Sequence, residues 1–348
     1  MEIDYGLKLD RHCMFLDDRL KPMISPMNNY FRDPQHTLFS SGVAESELAA
    51  IVVEMSRHGK SIDDLHRYSS AYTLPKRLGV VQDGWFSDNM FSKTGTKHFA
   101  GDMITMILLT GAFLEDEVRH GLMDKHIACF MLLVQITVIV MSSGDATASM
   151  IAALRTAVDD HARLYCELYD VPKLFKVKWH HLLHLPDDLK RMGKMLSCFP
   201  MERKHKDIKV HMVNSFRSLE QTTVYSHLNA TVYAITKGLT KFEQEYLLSP
   251  DGDRSAHAVL RVGMIGKGDM VLLNKDDRGN RALGEVLGFV TADDRVFAHL
   301  RQFAPCSPKV WDTSRAHETI VKGCTVIAAV PYRFSSQHRV RIIEPALV

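Results

Sequence analysis

The sequence predicts a mixed, mostly α protein that ends in a small antiparallel β domain. Between residues 46 and 169, apolar residues recur at helical spacing, and short Gly, Pro or Asp segments separate the runs. After about residue 250, short β-rich runs follow one another at regular intervals with turn residues between them. These runs, such as GDMVLLN and CTVIAAVPYRF, predict a β-barrel of SH3-like size over residues 256–348, preceded by the linker SPDGDRSAH.

Five helices are predicted in the middle of the chain. The first begins near Ser46, which can cap it, and ends before Gly59. The other four are predicted over residues 61–71, 97–117, 123–141 and 146–169. After them, the run LFKVKWHHLLHL mixes β-formers with histidines, Pro186 is expected to open a helix that ends before Gly193, and one more helix is expected from Pro200.

The composition bounds the class of protein. With 348 residues, 46% hydrophobic and 24% charged, and a formal net charge of +2, the chain is of globular type, and any nucleic-acid surface must be local. Its six cysteines form no C-x-x-C pair, which predicts a reducing, intracellular compartment. The first dozen residues lack the apolar core of a secretory signal, and the longest apolar stretch is shorter than the roughly 20 residues that cross a bilayer, so we expect no membrane partner.

Two segments carry the residues that could perform chemistry. Residues 32–43 contain a D-x-x-H pattern whose aspartate is expected at the end of a short strand. Residues 178–209 contain an H-x-x-H-L pattern, then a glycine, then a pattern close to F-x-x-E-R-x-x-x-x-K, whose last position fits only loosely. The matching residues are Asp33, His36, His181, His184, Leu185, Gly193, Phe199, Glu202, Arg203 and Lys209.

This arrangement resembles the catalytic region of CACTA-type DNA transposases over about residues 28–215. The resemblance implies a partial RNase H-like core at 1–43 and 171–250, interrupted by an α-helical insertion at 44–170. It also implies that carboxylates bind Mg²⁺ or Mn²⁺, with Asp33 and Glu202 as catalytic metal ligands and His36 and His184 beside them. The implied partner is DNA, the implied location is the nucleus, and a homo-oligomer is compatible with this class.

The implied chemistry has a physical basis. Hard Mg²⁺ prefers oxygen ligands, and two such ions about 4 Å apart can clamp the attacking and leaving oxygens of a phosphodiester. The family's first carboxylate is expected upstream of residue 28, but none of Asp4, Asp10, Asp17 and Asp18 lies in an apolar strand. We therefore assign no first ligand and expect an incomplete or inactive relative, so that enzymatic activity stays open.

Basic residues near Glu202 could contact DNA phosphates without reading the sequence. They are Arg203, Lys204, Lys206 and Lys209, with Lys190 and Arg191 one helix earlier. The same charges could equally form a solvated helix face, and Asp33 before Pro34 could simply start a turn.

Two other functions stay open at this point. The first is a non-enzymatic nucleic-acid or chromatin interaction protein whose C-terminal barrel binds an unknown partner. The second is a metallohydrolase that uses His180, His184 and Asp187, since histidines at i and i+4 can share one helical face. Contact between Asp33 and Glu202 in space would favour the transposase interpretation over both.

Overall fold

The structure is a computed structural model that describes residues 31–75, 78–92, 95–118, 121–141, 145–169, 177–198, 224–225, 228–229, 254–260, 263–275, 281–292, 295–307 and 309–343. It is a mixed α/β protein whose helices precede an antiparallel sheet, as the sequence predicts. The predicted helix from Pro200 lies outside the described residues, and no RNase H-like sheet is formed by the described ones.

Six α-helices make up most of the described N-terminal part. A five-residue π-helix, Gln35–Phe39, precedes them, and a two-stranded hairpin, β1 (Phe91–Ser92) with β2 (Gly95–Thr96), lies between the second and third. The helices are α1 (Val43–Arg57), α2 (Ile62–Ser70), α3 (Ala100–Glu117), α4 (Asp124–Met141), α5 (Ala148–Leu168) and α6 (Val177–Met192).

The first five helices confirm the predicted helices, but the prediction that Ser46 caps α1 is wrong, because α1 begins at Val43 after Gly42 and Ser46 lies inside it. Ser61 caps α2 and forms the full capping box with Asp64, each side chain accepting a hydrogen bond from the other residue's backbone. Gly59 and Gly193 follow α1 and α6 with positive φ, the left-handed conformation that commonly ends a helix. The helical spacing of apolar residues and the glycines after the helices therefore predicted the helix ends to within a few positions.

Helix α4 is apolar around its whole circumference because it lies in the core. In the described part of the chain it is the one helix whose length and composition would allow it to cross a membrane. Eight of its residues are buried, and it packs between α3 and α5. Since a core helix passes the same test of length and composition, no transmembrane segment is indicated.

Helix α6 corrects the prediction for the histidine-rich run. It begins at Val177 and continues through Pro186, where a strand-like segment and a new helix were expected. Trp179, Leu182 and Leu185 recur at helical spacing and are all buried, so burying this face stabilises one continuous helix. The free energy gained from that burial offsets the cost of the backbone hydrogen bond that a proline removes from the interior of a helix.

The C-terminal part is an antiparallel sheet, and the prediction of a closed barrel is wrong. The order of the main strands is β10-β6-β7-β8-β9-β12-β11, and β10 and β11 form the two edges without pairing with each other in the described residues. Strand β3 (Arg254–Ser255) joins β7, while β4 (His257–Leu260) and β5 (Gly263–Gly266) form a separate hairpin. The main strands are β6 (Met270–Lys275), β7 (Arg281–Ala292), β8 (Arg295–Ser307), β9 (Val310–Lys322), β10 (Val326–Ala329), β11 (Tyr332–Ser336) and β12 (Arg339–Ile342).

The sheet buries apolar side chains on both of its faces. Alternate residues of β6 belong to different hydrophobic clusters: Val271 and Leu273 to one, Met270 and Leu272 to the other. Side chains alternate across a strand, so these clusters lie on opposite faces.

The sheet is attached to the helices through a partly buried carboxylate. Asp116, at the end of α3, accepts a hydrogen bond from the Tyr68 hydroxyl at 2.6 Å and pairs with Arg341 and, at 3.8 Å, with Arg333. The Arg333 guanidinium also lies over the Tyr68 ring, 4.6 Å from its centroid. Backbone hydrogen bonds between Thr73 and Tyr332 complete the junction.

Replacing Asp116 by alanine is predicted to lower the free energy of unfolding by about 3–5 kcal/mol, because two arginines lose a nearly buried partner. The matched control is Glu115→Ala, which removes an exposed pair with Lys309 and is predicted to cost about 1 kcal/mol or less. Urea denaturation followed by circular dichroism measures both. Equal effects of the two substitutions would contradict the assignment of Asp116 as the attachment point.

Candidate functional site

Asp33 lies directly before the π-helix and joins two distant parts of the chain. Its Oδ2 accepts hydrogen bonds from the His36 backbone N–H at 3.0 Å and lies 2.5 Å from His36 Nδ1. Its Oδ1 accepts a hydrogen bond from the Cys198 backbone N–H at 2.9 Å, across 165 positions. The described residues 31–33 are not in a strand, and the rest of the predicted strand lies outside the described residues.

These contacts keep the Asp33 carboxyl ionised. Partial burial alone would raise its pKa, but the hydrogen bonds from the His36 side chain and from the backbone of Cys198 and His36 outweigh burial and lower the pKa below its ordinary value. An ionised carboxylate with spare lone pairs is able to bind a hard cation.

A second carboxylate, Asp188 of α6, fixes the backbone beside Asp33. Only 4% of Asp188 is exposed, and it accepts hydrogen bonds from the Arg32 backbone N–H at 3.0 Å and from the Arg32 guanidinium at 3.2 and 3.3 Å. Arg191 donates a further bond to it at 2.9 Å. Sequence reasoning missed Asp188, because a carboxylate early in a helix after proline is an ordinary feature of helix starts.

A tight turn at Gly42, where the chain passes close to the π-helix, also positions this site. A Cβ atom added to Gly42 would lie 2.4 Å from the carbonyl oxygens of Thr37 and Leu38. Only glycine therefore permits the tight turn that leads from the π-helix into α1. This requirement explains the glycine in the 32–43 segment.

The predicted histidines lie on α6. His184 Nε2 is 3.2 Å from His180 Nε2, and His184 Nδ1 is 3.8 Å from the exposed carboxylate of Asp187. Burial lowers the pKa of His181, and the neighbouring cations Arg32 and Lys178 lower it further. The histidines of α6 therefore lie beside the residues around Asp33, together with both basic and acidic side chains.

Two of the predicted DNA-binding residues lie at the end of the same helix. Lys190 is exposed, and Arg191 is exposed while it pairs with Asp188. The other predicted residues of this kind, and the predicted metal ligand, lie outside the described residues: Glu202, Arg203, Lys204, Lys206 and Lys209.

Two groups of metal-ligand type occur in the described part of the chain, each with all its donor atoms within 4.8 Å of one another. The first consists of Asp33, His36 and Cys198, at the surface. The second consists of three buried residues from three helices, Glu47, Cys129 and His161. Sequence reasoning found Asp33 and His36 but missed the second group, whose members have no common local pattern.

Comparison with known proteins adds no relative. No family model, no curated protein and no solved structure matches the chain. The function therefore has to be argued from these residues and their geometry.

Asp33→Asn is predicted to loosen the contact with residue 198, because a neutral amide accepts more weakly than a carboxylate. We expect a loss of about 1–3 kcal/mol at pH 7, and faster hydrogen exchange in the peptide that contains Cys198. The folded-state pKa lies below the ordinary 3.8, so the contribution of Asp33 is complete above pH 3.8 and is lost as the pH falls through the lowered value.

The control for Asp33→Asn is Asp187→Asn, which alters an exposed pair with Arg155. It is predicted to leave exchange at residue 198 unchanged. If Asp33→Asn and the wild-type chain showed the same hydrogen exchange at pH 7, the hydrogen bond between Asp33 and Cys198 would not contribute to stability.

Proposed function

We propose that this chain derives from the catalytic region of a CACTA-type DNA transposase and acts on DNA in the nucleus. Its ancestral reaction is Mg²⁺- or Mn²⁺-dependent cleavage and transfer of DNA strands. The metal ligands are Asp33 and Glu202, and Lys190, Arg191, Arg203, Lys204, Lys206 and Lys209 contact the DNA backbone.

A single observation carries this proposal. The Cys198 N–H donates to Asp33 Oδ1 at 2.9 Å, and Cys198 lies four positions before Glu202 in the sequence. Four residues of chain span at most about 14 Å even when fully extended. The contact supports the proposal of a shared metal site, because it limits how far along the chain Glu202 can lie from Asp33.

The donor set at Asp33 fits a hard cation only in part. Mg²⁺ prefers oxygen, so the imidazole of His36 and the thiol of Cys198 are poor ligands for it, and the carboxylate of Asp33 is the suitable one. His36 Nδ1 then orients the carboxylate from its other side, as partners of metal ligands commonly do.

The neighbouring residues have separate roles. Ionised Asp33 would bind the cation, and the Cys198 amide holds the carboxylate toward the segment that carries Glu202. Lys190 and Arg191, exposed at the end of α6, attract the phosphates of an approaching DNA strand. Bound divalent ions would polarise the phosphodiester and activate water.

One observation favours a second candidate, a non-enzymatic protein that binds nucleic acid or chromatin. Asp33 is the single carboxylate in its metal-ligand group among the described residues, while family chemistry uses three. On this alternative, the same surface binds DNA without cutting it, and the C-terminal sheet binds a further partner.

Titration of the full chain with Mn²⁺, followed by isothermal calorimetry, tests the metal site. Wild-type protein is predicted to bind the ion, and both Asp33→Asn and Glu202→Gln are predicted to weaken binding by roughly tenfold or more. Asp187→Asn is the control and is expected to bind normally. Unchanged binding in Glu202→Gln would remove the shared site and with it the transposase chemistry.

The salt dependence of DNA binding tests the basic surface. Replacing Lys204, Lys206 and Lys209 by glutamine is predicted to reduce the slope of log K against log salt by about 0.9 for each DNA phosphate that the variant no longer neutralises. Lys125→Gln, which removes an exposed lysine paired with Glu167, is the control. Fluorescence anisotropy with a duplex measures the slope, and an unaltered slope in the triple variant would contradict the assignment. Cleavage of that duplex with Mn²⁺ separates the enzyme from the binding protein.

A further inference from the structure

Three helices bring metal-ligand side chains to one point in the helical core. Glu47 of α1, Cys129 of α4 and His161 of α5 are each 0% exposed. Their donor atoms all lie within 4.8 Å of one another, and His161 Nε2 is 2.5 Å from Glu47 Oε2. The positions are far apart in sequence, so only the fold assembles this group.

The polar atoms of this cluster are not all satisfied by protein. Glu47 Oε1, His161 Nδ1 and the Tyr165 hydroxyl are buried and have no hydrogen-bond partner among the described residues. A buried polar group without a partner costs about 1–3 kcal/mol, and more when the group is charged. The core therefore contains a carboxylate with one oxygen that makes no geometric hydrogen bond among the described residues, beside the thiol of Cys129.

We propose that Glu47, Cys129 and His161 bind a Zn²⁺ ion that stabilises the helical core. Zinc accepts this mixture of carboxylate oxygen, thiolate sulfur and imidazole nitrogen, whereas Mg²⁺ and Ca²⁺ prefer oxygen alone. One carboxylate and one thiolate also neutralise the two positive charges of the ion. A neutral site is the arrangement that a water-free interior tolerates best.

The geometry requires only small side-chain movements. Zinc–ligand bonds of about 2.0–2.3 Å in a tetrahedral arrangement place donor atoms about 3.3–3.7 Å apart. His161 Nε2 and Glu47 Oε2 would therefore separate from 2.5 Å by about 1 Å, and the other donor pairs already lie within 4.8 Å.

Binding transfers one proton to solvent. Burial and the charge of Glu47 raise the pKa of the Cys129 thiol, so without metal this residue stays protonated. As the sulfur–zinc bond forms, the sulfur–hydrogen bond breaks and the proton leaves for solvent. The ring proton of neutral His161 moves from Nε2 to Nδ1, so that Nε2 binds the ion and Glu47 binds it as carboxylate. His161 is held in orientation by Trp179, whose ring stacks on it at 5.3 Å with an interplanar angle of 5°.

This site is independent of the proposed DNA chemistry. It is fully buried, contains a thiol that zinc favours and lacks any opening to a substrate in the described residues, whereas Asp33 lies at the surface. Its ion would be structural, and loss of the ion is expected to lower stability rather than to remove a reacting group.

The test is cobalt substitution in the full-length chain. After removal of metal with a chelator and addition of Co²⁺, the wild-type protein is predicted to bind about one ion per chain and to show a thiolate-to-cobalt charge-transfer band. Cys129→Ser is predicted to abolish the band, and His161→Gln and Glu47→Gln to weaken zinc binding by roughly tenfold or more. Zinc addition is expected to raise the melting temperature of the wild type but not of Cys129→Ser.

The matched control is Cys198→Ser, which removes the thiol of the surface group and is predicted to keep the band. A band that survives in Cys129→Ser but disappears in Cys198→Ser would place the ion at the surface group and overturn the proposal. Absence of a thiolate-to-cobalt band in the wild-type protein would overturn the proposal as well. This result does not depend on whether the variants of the buried residues fold. Neither result would alter the Mn²⁺ titration at Glu202, so the two proposals fail separately.

Discussion

A carboxylate and an imidazole that are both sealed from water constrain the helical part of this protein. Glu47 and His161 face each other across 114 positions, and Cys129 lies beside them. Burying a charged or strongly polar group is costly unless a partner compensates it. Helices α1, α4 and α5 must therefore meet in one register, because a shift of one turn would leave each polar group alone in an apolar core.

Helix α6 is positioned by the same buried cluster. Trp179 of α6 stacks on His161, and its ring centroid lies 3.9 Å from that of Tyr165. These aromatic contacts hold α6 against α5. Nine positions later, the same helix presents Asp188 to Arg32. The backbone beside Asp33 is thus anchored to the core through α6, while Gly42 anchors its other end to α1. A surface site gains a rigid base in this way.

Local pattern was sufficient for most helices but not for these long-range contacts. The capping serine of α2 and the glycines after α1 and α6 were readable because caps are local. Pro186 was misleading because burial of Trp179 and its helical neighbours outweighs the absent backbone bond. The barrel was predicted wrongly because short β-rich runs indicate strands and turns but do not reveal whether the two edge strands, β10 and β11, pair with each other.

The candidate sites differ in the same respect. A D-x-x-H pattern drew attention to Asp33 and His36, yet the contact with Cys198 spans 165 positions and has no local signal. Glu47, Cys129 and His161 each occupy an ordinary position in an amphipathic or apolar helix. Only their common burial distinguishes them, and burial is a property of the folded chain.

The two metal-ligand groups obey opposite electrostatic rules. Hydrogen bonds lower the pKa of Asp33, so its carboxylate is ready for a cation at neutral pH and releases no proton on binding. Burial raises the pKa of Cys129, so its thiol can become a ligand only by losing a proton to the incoming ion. Metal affinity at the surface group would therefore decline only in acid, whereas affinity at the buried group would rise with pH through the neutral range. A surface site of that kind suits an ion exchanged with solvent and substrate, and a buried site of the other kind suits an ion retained as part of the fold.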